Sequence, residues 1–284
     1  MNSPDYEHRH LALLAGSIIL PQVPSLLTLA PNQIKRLFRS KNQYEVCGAI
    51  SFASTICTKE ISIYIEDDLG LLLNHSKACI RRRGCALAKR VVLNHFSIGS
   101  KVAQMLKNVL SDSDENVKIA GTCAVLDCAV VYPHLFLQTI PSLYNFLEGK
   151  NIRLSIKALQ ALCLFLNCEK RLYKKLEDKL LDILNKVKAM SLEVEIHKQI
   201  ARHFPNTPKL IEKTKDQIIK YLSDTDANIR YMGLLILKPL LESHKNILPL
   251  YKDKLIQMLS TEDKPTKIRV LDIISECVYL YIII

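Results

Sequence analysis

The sequence predicts an all-α fold of the HEAT or armadillo type, a right-handed superhelix of helix pairs, and three observations predict it. The first is a recurring apolar stripe. From Ile229, offsets 3, 4, 7, 8, 11 and 12 are Met232, Gly233, Ile236, Leu237, Leu240 and Leu241, a wide apolar face on a 3.6-residue helix. Similar stripes start at Val46, Ile80, Val117, Ile152, Leu192 and Thr266, so successive anchors lie 34, 37, 35, 40, 37 and 37 residues apart. A near-constant period of this size marks a solenoid in which each repeat buries its apolar face against its neighbours. The second is the residue after the anchor, basic in five repeats: Arg81, Lys118, Arg153, Arg230 and Lys267. The third is composition. Only 8 glycines, 11 prolines and no tryptophan among 284 residues, with 49% apolar residues, suit a helical chain, and few segments alternate as half-buried strands do.

Residues 11–33 carry no charge, which raises the question of a membrane span, for which about 20 apolar residues are needed. Pro21, Pro24 and Pro31 interrupt the run, and the mixed charges of MNSPDYEHRH do not make the positive start of a signal peptide. Two short buried helices joined by PQVPS are expected, with Pro31 opening the next helix. Residues 44–58 then read as the first inner helix and Ile61–Leu73 as its outer partner. Asp67 and Asp68 are expected at a helix start, serving its dipole. The segment 76–94 is the next inner helix.

Residues 100–147 supply a further pair, with SDSDEN at the turn and Asp112 or Asp114 placed to cap the helix near Val117. Residues 151–187 supply another. The turn KAMSLEVEIHK lacks acidic punctuation and has Glu193 where the basic residue belongs, so this repeat is the most degenerate. HFPNTPK separates it from a helix at 210–222. Asp224 and Asp226 precede the long helix from Ile229, where Pro239 removes one backbone hydrogen bond and should bend it. The small stripe members Gly84, Gly121 and Gly233 are expected to let helices approach closely. A single solenoid over 1–284 follows.

Nine cysteines without a secretory signal point to a reducing compartment. No zinc pattern appears. Cys123 and Cys128, like Cys163 and Cys168, are five apart and point away from each other on a helix, and no CxxC occurs. His75, His95, His134, His197 and His203 are scattered, and there is no phosphate-cradling glycine loop and no GxSxG. The residues give no support for catalysis and imply no cofactor.

The net charge is +11. Its densest part is Arg81, Arg82, Arg83, Lys89 and Arg90. These residues are expected to meet an anionic surface, either phosphoinositide head groups or an acidic partner; the plainer alternative is a solvated helix face. Basic residues are seldom interleaved with aromatics, so no nucleic acid is expected, although a basic solenoid serving nuclear transport or nucleic acid is the rival reading of the charge.

With the repeats placed, several strings resemble the trunk of adaptins, the large chains of heterotetrameric coat adaptors: PNQIKRLFRSKNQYEV, LLLNHSKACIRRRGCALAKRVV and LSDSDENVKIAGTCAVLDCAVVYP. KAMSLEVEIHKQIA, SDTDANIRYMGLLILKPLLESHK and the run from His244 to Val278 are most similar to the delta-type adaptin of the third adaptor complex, with the gamma type as the neighbouring alternative. The resemblance covers about residues 7–278. It implies a non-enzymatic scaffold that binds small, medium and second large adaptor chains, peripheral on Golgi and endosomal membranes from the cytoplasm, with contact to anionic membrane and to a small GTPase. Family trunks have helices before this chain's start and continue past its end into a hinge and appendage. The resemblance therefore implies a fragment or reduced trunk, with the closing VYLYIII as the beginning of a further helix. The family's contacts to GTPase and acidic-dileucine cargo cannot be carried over residue by residue.

Overall fold

The computed structural model describes residues 5–282, with side chains for residues 5–23 and 25–275. The side chains of VYLYIII, and of Cys277 and Val278 in the seventh stripe, lie outside the described residues. Every regular element among the described residues is helical, as the periodicity predicts.

Two compact units divide the chain, residues 1–168 and 169–284. The first contains α1 (Tyr6–Ile19), α2 (Ala30–Phe38), α3 (Gln43–Thr55), α4 (Lys59–Leu73) and α5 (Ala78–Asn94). It continues with α6 (Gly99–Val109), α7 (Glu115–Ala129), α8 (Ile140–Phe146) and α9 (Ile152–Phe165). The second contains α10 (Lys170–Lys186), α11 (Met190–His203), α12 (Pro208–Leu222), α13 (Ala227–Ser243), α14 (Lys252–Thr261) and α15 (Lys264–Ile282). In the first unit α3, α5, α7 and α9 pack in sequence as one layer, and α2, α4 and α6 form the layer behind. In the second, α11, α13 and α15 form one layer and α12 packs behind α13. The predicted stripe helices are the members of these odd-numbered layers.

From α3 onward each odd helix starts at a cap, and the caps keep a stricter period than the apolar anchors did. They are Asn42, Lys77, Asp114, Asn151, Ala189, Asp226 and Asp263, spaced 35, 37, 37, 38, 37 and 37. Asp114 accepts from the N–H groups of Asn116 and Val117 at 2.8 and 3.1 Å, and Asp226 from Asn228 at 2.8 Å. Such a carboxylate satisfies donors that have no partner within their own helix. Asp114→Ala is expected to cost about 1 kcal/mol in urea unfolding, with Asp112→Asn tested separately because Asp112 serves another role.

Most stripe residues are buried as expected, including Ile80, Leu87, Ala88 and Val91 on α5 and Gly233, Ile236, Leu237 and Leu240 on α13. α13 continues through Pro239 to Ser243. The glycines sit where the layers touch: a Cβ at Gly121 would lie 2.8 Å from Val109 Cγ1, and one at Gly233 would lie 3.1 Å from Tyr221 Cβ.

Four expectations need correction. Ile152 is 40% exposed, and the buried register of α9 begins at Leu154 and Ser155. Cys57 lies beyond the end of α3, and Met232 is exposed. Asp67 and Asp68 are not at a helix start: Thr58 caps α4, accepting from the Ile61 N–H, and both aspartates lie in its second half. Asp68 is buried there, and the guanidinium of Arg39 (2.9 Å) and the ammonium of Lys35 (3.9 Å) balance its charge.

The fourth correction concerns residues 11–33. Their first part is the single helix α1, followed by two 3-10 segments at Leu20–Gln22 and Pro24–Leu29, and much of it is exposed rather than buried. α1 docks on α3 through Leu13 and an Arg9–Glu45 ion pair (Nε to Oε1 2.9 Å). One side of α1 is thereby buried, and Leu11, Leu14, Ile18 and Ile19 on it, with Leu26 and Leu29 in the segment that follows, are left facing outward. No helix of the described residues is long and apolar enough to cross a membrane.

Candidate interaction surfaces

The five cationic residues singled out on α5 have three different fates. Arg81 is engaged within the repeat. Its Nε and Nη2 donate to both carboxylate oxygens of Asp112 (2.6 and 2.9 Å), and its Nη1 donates to the carbonyls of His75 and Ser76 (2.8 and 3.0 Å). The guanidinium thus ties the turn before its own helix to the turn before the next odd helix. It also holds the Asp112 carboxyl below its ordinary value, chiefly through the hydrogen bonds. Lys89 pairs with Asp127 on α7 at 2.5 Å. Arg83 donates from Nη1 to Ser51 Oγ at 2.7 Å while remaining exposed, and Arg82 and Arg90 are exposed as well. Three of the five remain on the surface of the odd-numbered layer.

The same clamp recurs at Arg230. Its Nε and Nη2 take the two oxygens of Glu262 (Nη2 to Oε2 2.9 Å), and Nη1 donates to the carbonyls of Asp224 and Thr225 (2.9 and 2.8 Å). Both arginines stand four residues after their cap. Arg153, expected to be equivalent, stands two after Asn151 instead. The position is held by Ser155, whose Oγ donates to the Phe146 and Asn151 carbonyls at 2.9 and 3.2 Å. In the degenerate repeat Glu193 fills the position and accepts from the Tyr221 hydroxyl at 2.9 Å. An arginine fork can serve a carboxylate and two carbonyls at once, which an ammonium on a single stem does less well. Sequence reasoning saw the basic residue but not this role, because its partner lies 31 or 32 residues away.

Two further surfaces were not singled out in the sequence. A groove of about 350 Å3 runs between α1 and α3, lined by Tyr6, His10, Leu14, Tyr44, Phe52 and Arg83. It adjoins the outward apolar side chains of α1. Exposed apolar side chains grouped in this way make the surface a candidate for contact with a partner. Cys47 and Cys79 lie on the adjoining α3 and α5.

Among the described residues no three of His, Cys, Asp and Glu converge as metal ligands would. His197 is buried in α11, where it shares a 2.9 Å hydrogen bond with Thr214 and burial pushes its pKa down to about 4. Burial pushes the Cys85 and Cys128 thiols up to about 12, far from the range of a reactive thiolate.

Residues 1–279 match the family model described as "Adaptin N terminal region". The chain belongs to the adaptin family. Relatives of this adaptin include the delta-1 subunit of the AP-3 complex of Bos taurus, 24% identical over 282 residues that are 96% of this chain and 23% of the relative. The AP-3 delta subunit of Schizosaccharomyces pombe is 28% identical over 259 residues, 89% of this chain and 31% of the relative. The adaptin therefore spans about a quarter to a third of the curated relatives it matches. Among solved structures, a homology model of the full-length AP-3 complex in an intermediate open conformation superposes with a TM-score of 0.77 at 21% identity, covering 96% of this chain and 49% of that one. Yeast importin-beta (Kap95p) superposes at 0.68 with 12% identity, covering 89% and 35%, a likeness of fold alone.

Proposed function

We propose that this adaptin is a scaffold subunit of a vesicle coat adaptor, acting in cargo sorting between Golgi, endosome and lysosome or vacuole without catalysis. The observation that carries the reading is the match along nearly the whole chain to the adaptin N-terminal region, together with AP-3 delta subunits as relatives in several organisms. Its partners on this reading are the small, medium and second large adaptor chains, it works from the cytoplasmic side of Golgi and endosomal membranes, and a small GTPase recruits it. The 1–284 chain acts as one continuous segment of trunk.

Two surfaces suit this role. The outward side of α1, with Leu11, Leu14 and Ile18, is an apolar contact for another adaptor chain. Arg82, Arg83 and Arg90 take an acidic patch on such a partner, whereas Arg81 and Lys89 are already engaged by Asp112 and Asp127.

Affinity purification from cells tests the proposal. Recovery of small and medium adaptor chains, lost with Leu14→Glu plus Ile18→Glu and reduced several-fold with Arg82→Ala, Arg83→Ala and Arg90→Ala, is the expected result. Recovery of nucleic acid or transport factors in their place, or of no adaptor chain, would overturn it.

A further inference from the structure

The charge of the second unit is divided unevenly between its layers. α10, α12 and α14 hold twelve Lys and Arg residues against six Asp and Glu, while α11, α13 and α15 hold seven against five. The turn before α13 adds Asp224 and Asp226 to the odd-numbered side. The positive excess therefore lies on the layer of α10 and α12. Buried Leu172, Leu176 and Leu180 on α10, and Leu210, Ile211 and Ile218 on α12, turn the basic sides of both helices to solvent.

These elements lie side by side. Lys213 Nζ donates to Asn185 Oδ1 at 2.6 Å, the Tyr173 and Thr207 hydroxyls share a hydrogen bond of 2.9 Å, and the Tyr251 hydroxyl donates to the Lys215 carbonyl at 3.4 Å. The last contact brings the start of α14, with Lys252 and Lys254, next to α12.

Aliphatic side chains stand among these cations. Ile219 is 48% exposed, Leu250 63% and Ile256 53%. Ile219 and Leu250 flank a groove of about 580 Å3 that also contains Lys215 and His244 beside the carboxylates of Glu212 and Asp216, so the cationic excess lies on the helices around the groove rather than in it. A single exposed aliphatic is ordinary on a protein surface, but here three accompany a twofold excess of cations over carboxylates. Cations paired with protruding aliphatics suit the boundary between anionic headgroups and acyl chains. Nucleic acid would call for exposed aromatic platforms. Here the Tyr173 ring packs tilted against Phe204 at 4.7 Å, the Tyr221 hydroxyl is hydrogen-bonded to Glu193, and Tyr251 is buried.

We propose that the face formed by α10, α12 and α14 rests on an anionic lipid bilayer. The cations meet the headgroups, and Ile219, Leu250 and Ile256 enter the interfacial zone. This deepens the membrane association of the preceding reading by assigning it a surface distinct from the α5 arginines. It needs no partner chain, so the two readings fail separately. A chain that binds vesicles yet recovers no adaptor subunits would count against the scaffold and leave the lipid face standing.

The test is flotation of the 284-residue chain with phosphatidylcholine vesicles, with and without phosphatidylserine, at low and physiological salt. Each basic residue held at an anionic leaflet changes partitioning by about fivefold. Lys174→Ala with Lys209→Ala and Lys220→Ala is expected to lower binding to the phosphatidylserine vesicles at least about tenfold, given that factor for each lysine. Ile219→Ser with Leu250→Ser is expected to lower it several-fold at both salt concentrations, with helical circular dichroism unchanged in both variants. The proposal is overturned by equal binding to neutral and anionic vesicles, by full binding of the lysine variant, by loss only with Arg82→Ala, Arg83→Ala and Arg90→Ala, or by preference for a single-stranded RNA oligomer over the vesicles.

Discussion

Phe204→Ala is expected to lower the stability of the second unit by about 3–5 kcal/mol, the usual cost of emptying a fully buried aromatic site. Phe204 is inaccessible to solvent and follows directly on α11, where its N–H donates to the Ile200 carbonyl at 2.9 Å. Its ring lies 4.7 Å from that of Tyr173 at an interplanar angle of 37°, so the substitution removes an aromatic contact as well as apolar area. The flanking turn HFPNTPK is held by its own hydrogen bonds, including Thr207 N–H to the Phe204 carbonyl at 3.2 Å. The pocket can therefore collapse only in part. Phe96→Ala is the control: that ring is half exposed, and a change under about 1 kcal/mol is expected. Urea unfolding followed by circular dichroism measures both, and equal costs would show that burial at position 204 does not hold the unit together.

Arg230→Ala is expected to cost about 2–4 kcal/mol, because it leaves the Glu262 carboxylate, only 6% exposed, and two turn carbonyls without their shared donor. Arg230→Lys should recover less than half of the loss, since one ammonium cannot span a carboxylate and two carbonyls at once. Arg81→Ala should behave alike in the first unit, and here the pH dependence has a definite sign. Asp112 is held below its ordinary carboxyl value in the folded chain, so the folded state binds fewer protons than the unfolded state around that pH. Its contribution is then fully present above the unfolded value, about 4, and is lost as pH falls through the lowered folded value. The gap between wild type and Arg81→Ala should stay constant from neutral pH down to about 5 and close in stronger acid. A gap that widened with acid would show that the carboxylate is not what the arginine serves.

The sequence by itself determined that the chain is helical, that its helices repeat about every 37 residues, and where most of them begin. Helix periodicity and capping act within one segment, so Asp114, Asp226 and the stripes of α5 and α13 could be read without knowing what they touch. Adaptin membership was legible for the same reason, in strings such as SDTDANIRYMGLLILKPLLESHK.

What only the tertiary structure decided is the partner of each polar group and the side of each helix left uncovered. Arg81 looked like part of a surface cluster until Asp112, 31 residues on, proved to hold it. Arg153 looked equivalent to it until Ser155 proved to occupy the clamp position in α9. The apolar run of α1 looked like core, yet helix α3 covers only one of its sides and leaves Leu14 and Ile18 exposed. Lysines that appear evenly scattered along the chain gather on one layer only when α10 and α12 are set beside each other. In each case the deciding neighbour comes from another repeat, and a pattern within one segment specifies how that segment coils but not which segment will stand next to it.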